Sequence, residues 1–408
     1  MKNIKDNVWI GTEQLNQNAE LAQAEQSEFV ELPVAGESVE TRLESNRRDF
    51  LKYLGFGIGA ATIAACDIPV RKAIPYVVKP DSIVPGVANY YASTFAQGGD
   101  YCSILVKTRE GRPIKIEGNT LSSVTKGGTS ARVQASVLSL YDTSRLDGPR
   151  MIQNGQIGEA MSWEAADSAI TTKLKTAGQV RIVAPTVMSP VTKQAITDFK
   201  ATFPNAELVM YDAVSSSALL QANELSFGMR AVPSYHFDKA KVIVGIDCDF
   251  LGTWISPTEY ARQYAAGRKL QQMKSAEMSR HIQVESYMSL TGSNADNRVP
   301  VKPSEIGAVI VALHNEVAAA AGGSRVSGPS LSADKQAKVA QIAKELLAHR
   351  GNSLVVSGSN NQSEQVLVNA INQMLSNYGE TISFARASYQ RQGDDKAMQQ
   401  LVSDMNGG

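Results

Sequence analysis

Cysteine and histidine are scarce in this chain: its 408 residues include three of the first and four of the second. An iron–sulfur cluster or a structural zinc needs about four thiolate or imidazole ligands brought close together. Cys66, Cys102 and Cys248 lie far apart with no CxxC, and His236, His281, His314 and His349 show no spacing suited to joint metal binding. The histidines are therefore expected in structural or surface roles. An excess of either charge is also missing, since 40 basic residues offset 40 acidic ones. That balance leaves no electrostatic footprint for nucleic acid or for an anionic membrane surface. No apolar run reaches the roughly 20 residues needed to span a bilayer, and no internal repeat or low-complexity tract stands out.

What is present is concentrated between Asn46 and Cys66, NRRDFLKYLGFGIGAATIAAC. Arg47 and Arg48, with Phe50, Leu51 and Lys52, follow the consensus of a twin-arginine export signal. Tyr53 to Ala65 is apolar, diluted by three glycines, and reads as a processed signal segment. Ile63, Ala64 and Ala65 before Cys66 fit a lipobox, whose cysteine takes a diacylglyceryl group. Each buried lipid CH₂ contributes about 0.8 kcal/mol, so two or three chains give stable anchoring. With Cys66 lipidated, Cys102 and Cys248 either form one disulfide in an oxidising compartment or remain two core thiols.

The pattern divides the chain into a polar leader (1–45), the signal with its lipobox (46–66) and a Pro-containing tether (67–93). A small β-rich unit (94–150) follows, in which YCSILVKTREGRPIKIEGN alternates apolar and polar residues about a Glu110-Gly111 turn, predicting a hairpin. From 151 to 325 short β-branched strands alternate with helical runs. Strands are predicted at Arg181, Glu207, Lys241 and His281, and helices over 163–176, 190–199, near Ala218 and over 257–270. Such alternation predicts an α/β fold of Rossmann-like parallel-sheet domains covered on both faces. A second α/β segment (326–408) shows a helix to His349, the strand SLVVSG, a helix over 363–374 and the strand TISF, then a polar end with no closing element.

Read in order, these blocks resemble the large subunit of the molybdopterin oxidoreductase superfamily, of formate dehydrogenase and DMSO reductase type. The likeness is closest to the molybdopterin-like, iron–sulfur subunit of bacterial alternative complex III. NVWIGTEQL around Trp9, SEFVELPV from Ser27 and NRRDFLK resemble the extended leader of such subunits. The hairpin resembles the family's first β-unit, and LYDTSRLDGP at Leu140 resembles the segment after its cluster cysteines. SWEAADSAITTKL at Ser162, FDKAKVIVGIDCDFLGTW at Phe237, RHIQVESYMSLTGSNADNRVPVKPSE at Arg280 and LLAHRGNSLVVSGSN at Leu346 resemble later landmarks.

The departures carry as much weight. Cluster-bearing relatives have several cysteines before the hairpin and one after it, whereas here the region offers only Cys102. No iron–sulfur centre is therefore expected in this segment, and no equivalent of the family's metal ligand appears in GTSARVQASV or SPVTKQ. Typical members run far beyond 408 residues, so the resemblance implies that iron–sulfur clusters belong to a C-terminal part and haem c to partner subunits. It further implies that molybdopterin is absent. The implied partners are a multihaem cytochrome c and quinol-binding membrane subunits, with a terminal oxidase as a further one, on the periplasmic face of the inner membrane.

Few residues here suggest a site by themselves. Gly98-Gly99 and Gly127-Gly128 lack the strand and helix context of a dinucleotide fingerprint and read as turn glycines. IDCDF ends a predicted strand, where open α/β sheets place ligand contacts. In pterin-binding relatives such strand ends touch the nucleotide, so Asp247, Asp249, Thr291 and Asp296 are the residues of a vestigial cofactor cleft; otherwise they cap helices and end strands. Three readings follow: a non-catalytic, lipid-anchored scaffold of a quinol-oxidising complex, an active molybdopterin oxidoreductase subunit, or a periplasmic solute-binding lipoprotein.

Overall fold

The computed structural model describes residues 83–97, 100–269 and 277–407. The leader, Arg47, Arg48, Phe50, Leu51, Cys66 and most of the expected tether lie outside the described residues.

Three antiparallel strands come first: β1 (Asn89–Gln97), β2 (Asp100–Arg109) and β3 (Arg112–Gly118), in that order. The predicted hairpin turns at Glu110 and Gly111, both at positive φ (46° and 77°), as a tight two-residue turn requires. β1 begins inside the stretch read as tether up to Ser93. It becomes a strand because it has a full-length partner, with Asn89 opposite Thr108 and Gln97 opposite Asp100. Cys102, Ile104, Ile116 and Val133 form the small core of this unit, and Val133 comes from the short helix α1 (Ala131–Ala135).

After a hairpin of β4 (Arg150–Gln153) and β5 (Gln156–Ala160), helical spacing begins at α2 (Trp163–Thr176). The Ser162 side chain accepts from the Ala165 N–H and Glu164 stands in the first turn, so both the cap and the dipole favour a start there. β6 (Val180–Ala184), α3 (Pro190–Thr202) and β7 (Ala206–Met210) form a βαβ unit, its strands parallel from Val180 opposite Ala206. Pro190 at N1 and the Ser189 cap fix where α3 starts.

The main body continues with α4 (Ser217–Phe227), β8 (Val232–Tyr235), β9 (Val242–Ile246), α5 (Pro257–Ala266), β10 (Arg280–Glu285), α6 (Leu290–Ser293) and β11 (Asn297–Pro300). It is completed by α7 (Ile306–Ala321), α8 (Ala333–Ala348), β12 (Ser353–Ser357), α9 (Gln362–Met374), β13 (Ile382–Ser388) and α10 (Asp395–Gly407). Four strands make one parallel sheet in the order β11-β10-β9-β12. Strand 353–357 thus enters the sheet of the 151–325 segment, and β13 pairs antiparallel with β8. The ending read as having no closing element is the helix α10, which buries Leu401 and packs on β7.

Alternation along the central strands assigns each face its core. Val242, Val244 and Ile246 of β9 with Val355 of β12 meet Ile310 and Leu313 of α7, Ile342 and Leu346 of α8 and Ile371 of α9. Ile243, Leu354 and Val356 point the other way, into Phe237, Phe250, Tyr260 and Tyr264. Phe237 and Phe250 stack with centroids 4.4 Å apart. Each fully buried Ile, Leu or Phe contributes about 1.5–3 kcal/mol relative to exposure, so this two-sided core fixes the position of the β9 and β12 ends.

Candidate functional site

The chain leaves β9 toward β10 and β11 on one side, then returns through α7 and α8 to β12 on the other. The carboxyl ends of β9 and β12 therefore flank a topological switch point, the place where open α/β sheets bind ligands. Asp247 ends β9 at φ 49°. Its N–H donates to the Val284 carbonyl at 2.7 Å, and the Ser286 hydroxyl donates to its carboxylate at 3.5 Å. A Cβ at Gly358, just past β12, would run into the Asp247 carbonyl, so only glycine lets the two strand ends come this close.

Two residues on, the Asp249 carboxylate accepts from the Thr291 N–H at 3.0 Å and from the Thr291 hydroxyl at 2.8 Å. The same hydroxyl accepts from the Leu251 N–H at 2.9 Å, and Thr291 is fully buried. Asp249 thereby clamps the β9 end to the start of α6. Ile255 lies near this clamp at φ 50°, a position a β-branched residue rarely adopts. Its carbonyl accepts from the guanidinium of Arg391, which is 4% exposed. Burial holds Arg391 below the usual guanidinium range, with Asp212 acting in the opposite direction. Asp247, Asp249, Ile255, Tyr287, Gly358 and Arg391 enclose a crevice of about 100 Å³. A larger cavity of about 930 Å³ shares Asp247 and Gly358 and extends along Asn360, Asn361 and Ser363 at the start of α9.

The structure thus brings Asp247, Asp249 and Thr291 together. It separates Asp296, which lies at the other end of the sheet. There Asp296 receives Arg268 through two bonds of 2.9 and 2.6 Å and accepts from the His281 N–H at 2.7 Å. The hydrogen bond from Arg268 holds its carboxyl below the usual range, against burial. Expecting Asp296 in the cleft is corrected for a simple topological reason: β11 runs parallel to β10, so the chain from Leu290 to Asp296 must return to the amino end before β11 begins.

A set of residues that periodicity alone did not single out adjoins this site. His281, Gln283 and Glu285 occupy alternate positions of β10 and are all buried. The His281 Nε2 lies 3.3 Å from Gln283 Oε1, and the Gln283 amide donates to the Cys248 carbonyl at 3.1 Å and toward Glu285 at 3.4 Å. Glu285 also receives the Ser289 hydroxyl at 2.6 Å and Arg298 at 2.5 Å. Burial pushes the Glu285 carboxyl up, but the bonds from Ser289 and Arg298 outweigh it and leave it lowered. The signal was the polar alternation of HIQVE within a strand expected to be covered on both faces.

Cys102 and Cys248 are both free and buried, which settles their alternatives in favour of core thiols. The Cys102 thiol donates to the Gly128 carbonyl at 3.1 Å, and burial raises both thiols. The two belong to separate cores, so the donor set does not fit an iron–sulfur cluster. Among the described residues no group of three or more His, Cys, Asp or Glu could hold a metal ion. The small crevice is below the roughly 300 Å³ at which small-ligand sites begin, whereas the cavity of about 930 Å³ beside it lies within their range. Gly127 and Gly128 lie in a turn, where the Gly128 N–H donates to the Thr125 carbonyl at 2.8 Å.

No protein-family model and no curated protein sequence matches the chain. Among solved structures it is similar to acetylene hydratase from Pelobacter acetylenicus, at 14% identity and a TM-score of 0.50, over 68% of this chain and 41% of that one. It also matches a formyltransferase/hydrolase complex from Methylorubrum extorquens at 16% identity, over 64% of this chain and 65% of that one, but the TM-score of 0.41 carries no argument. The first likeness is one of fold alone, a mixed α/β architecture. The chain spans less than half the length of that relative.

Proposed function

We propose that this chain is a non-catalytic, lipid-anchored scaffold subunit of a quinol-oxidising respiratory complex of the alternative complex III type. It stands on the periplasmic face of the bacterial inner membrane, anchored through Cys66 after export directed by Arg47 and Arg48. Its body docks the cluster-bearing part of the complex against a multihaem cytochrome c and quinol-binding membrane subunits, and a terminal oxidase accepts the electrons. The observation that carries the reading is the closure of the strand-end crevice: Asp249 and Thr291 bond each other, and buried Arg391 lines a space of about 100 Å³. On this reading the fold is kept while the part of the strand-end cleft between Asp249 and Arg391 is narrowed by the chain's own side chains.

A second reading, retention of a nucleotide without redox chemistry, is favoured by the cavity of about 930 Å³ at the start of α9. An active molybdopterin enzyme is the third. Metal, pterin and nucleotide analysis of the native membrane-extracted complex, with the intact mass of this subunit, separates them. Haem and iron without molybdenum, pterin or nucleotide, together with a lipid-sized mass increment at Cys66, is the expected result. Stoichiometric nucleotide alone would favour the second reading, and stoichiometric molybdenum with pterin would overturn the scaffold.

A further inference from the structure

A second cleft lies between the small β-rich unit and the main body, away from the strand ends. It encloses about 620 Å³, within the range of small-molecule sites. Three cations from three different elements line it: Lys126, Lys193 and Arg386. Lys126 occupies a tight turn at φ 47°, fixed by its N–H donating to the Ser122 carbonyl at 3.2 Å. Lys193 belongs to the first turn of α3. Arg386 sits where β13 slips register against β8 between Ser383 and Ser388, and its carbonyl accepts from the Ser234 hydroxyl at 2.5 Å. An irregularity of this kind re-aims a side chain. None of the three cations makes an ion pair among the described residues, whereas Arg268, Arg280 and Arg298 beside the sheet are paired. Tyr101 and Tyr389 add aromatic walls.

We propose that this cleft binds a small ligand bearing a phosphate or sulfate group, held by Lys126, Lys193 and Arg386, with Tyr101 and Tyr389 against its organic part. The inference holds whichever reading of the strand-end site is correct. One carboxylate tunes it. Glu259 lines the same cleft and accepts from the Gln263 amide at 3.2 Å, while Gln263 in turn accepts from the Phe237 N–H at 2.9 Å. Burial lifts the Glu259 carboxyl to about 7, with Ser256 and Lys126 acting against the rise and Asp238 with it. His236, beside it, is pushed down by burial. Below pH 7 Glu259 is uncharged, which leaves Asp238 as the one carboxylate lining the cleft against three cations; above it, the Glu259 carboxylate opposes the ligand as well.

The test is calorimetric titration of the full chain with inorganic sulfate, whose charge is constant across this range, and with pyrophosphate. Saturable one-site binding at pH 6, several-fold weaker at pH 8, is expected. Glu259→Gln should keep the pH 6 affinity at pH 8. Lys126→Ala or Arg386→Ala should each weaken binding about tenfold, as loss of a charge-assisted bond does, with unchanged unfolding midpoints. No saturable binding, or equal binding by the Lys126→Ala/Lys193→Ala/Arg386→Ala variant, would overturn the assignment.

Discussion

Two titratable groups, one fully buried and one half-buried, should make the acid response of this fold flat in the native sequence and steep in either variant. His281 is fully buried, with Nδ1 3.1 Å from the Tyr264 hydroxyl, and burial lowers it from 6.5 to about 4. The unfolded chain then binds more protons than the folded one between those values, so acidification destabilises. Integrating from pH 7 to pH 5 gives a loss of about 2 kcal/mol. Glu259 has the opposite sign. Raised from 4.5 to about 7, it is held as the acid in the fold, and stability is lost as pH rises through that window. Over the same two pH units downward it returns about 2 kcal/mol. The native chain should therefore show nearly constant stability between pH 7 and 5 from these two groups. His281→Gln should gain about 2 kcal/mol on acidification and Glu259→Gln should lose about the same. Urea unfolding of the three chains at half-unit pH steps measures this directly, because a uniform offset from the substitution cancels in the slope. Parallel profiles for the native chain and His281→Gln would refute the reasoning for His281.

Arg298→Ala should destabilise by about 2 kcal/mol, since it strips a partner from the buried Glu285 carboxylate while the two Ser289 bonds remain; a shift of the urea midpoint, largely restored by adding Glu285→Gln, checks it. Gly358→Ala forces a methyl against the Asp247 carbonyl and should cost about 1–3 kcal/mol, read as a lower melting temperature. Cys66→Ala should move the protein from the membrane fraction to the soluble one without altering its circular dichroism, because the loss is of acyl-chain burial alone.

Local order was legible where caps and periodicity agree. The Ser162 cap and helical spacing predict a helix over 163–176, and α2 has those bounds. β9 and β12 are apolar runs too short for helices, and both are buried strands. α7 gave no signal because nine of its residues are buried, leaving no polar face for a period to mark. The long-range order of strands has no local trace either. Nothing in SLVVSG says that it lies beside VIVGI rather than in a sheet of its own, which is why 326–408 read as a separate segment. The site shared that limit: Asp247 and Asp249 follow from their place after a strand, and Thr291 was found with them. Asp296 went to the far end because the return path to β11 is set by sheet polarity.

The adjacency of β9 and β12 also bears on how the chain is made. Val242 and Ser353 are partners in the sheet, yet more than a hundred residues separate them. β8 likewise waits for β13. A nascent chain that has emerged only as far as α8 carries the sheet's most apolar strand with one edge bare and its aromatic face half covered. Such a species is prone to edge-to-edge association. Ribosome stalling or proteolytic nicking before Ser353 should therefore yield insoluble product rather than a smaller folded domain, and quality control must shield β9 until β12 arrives.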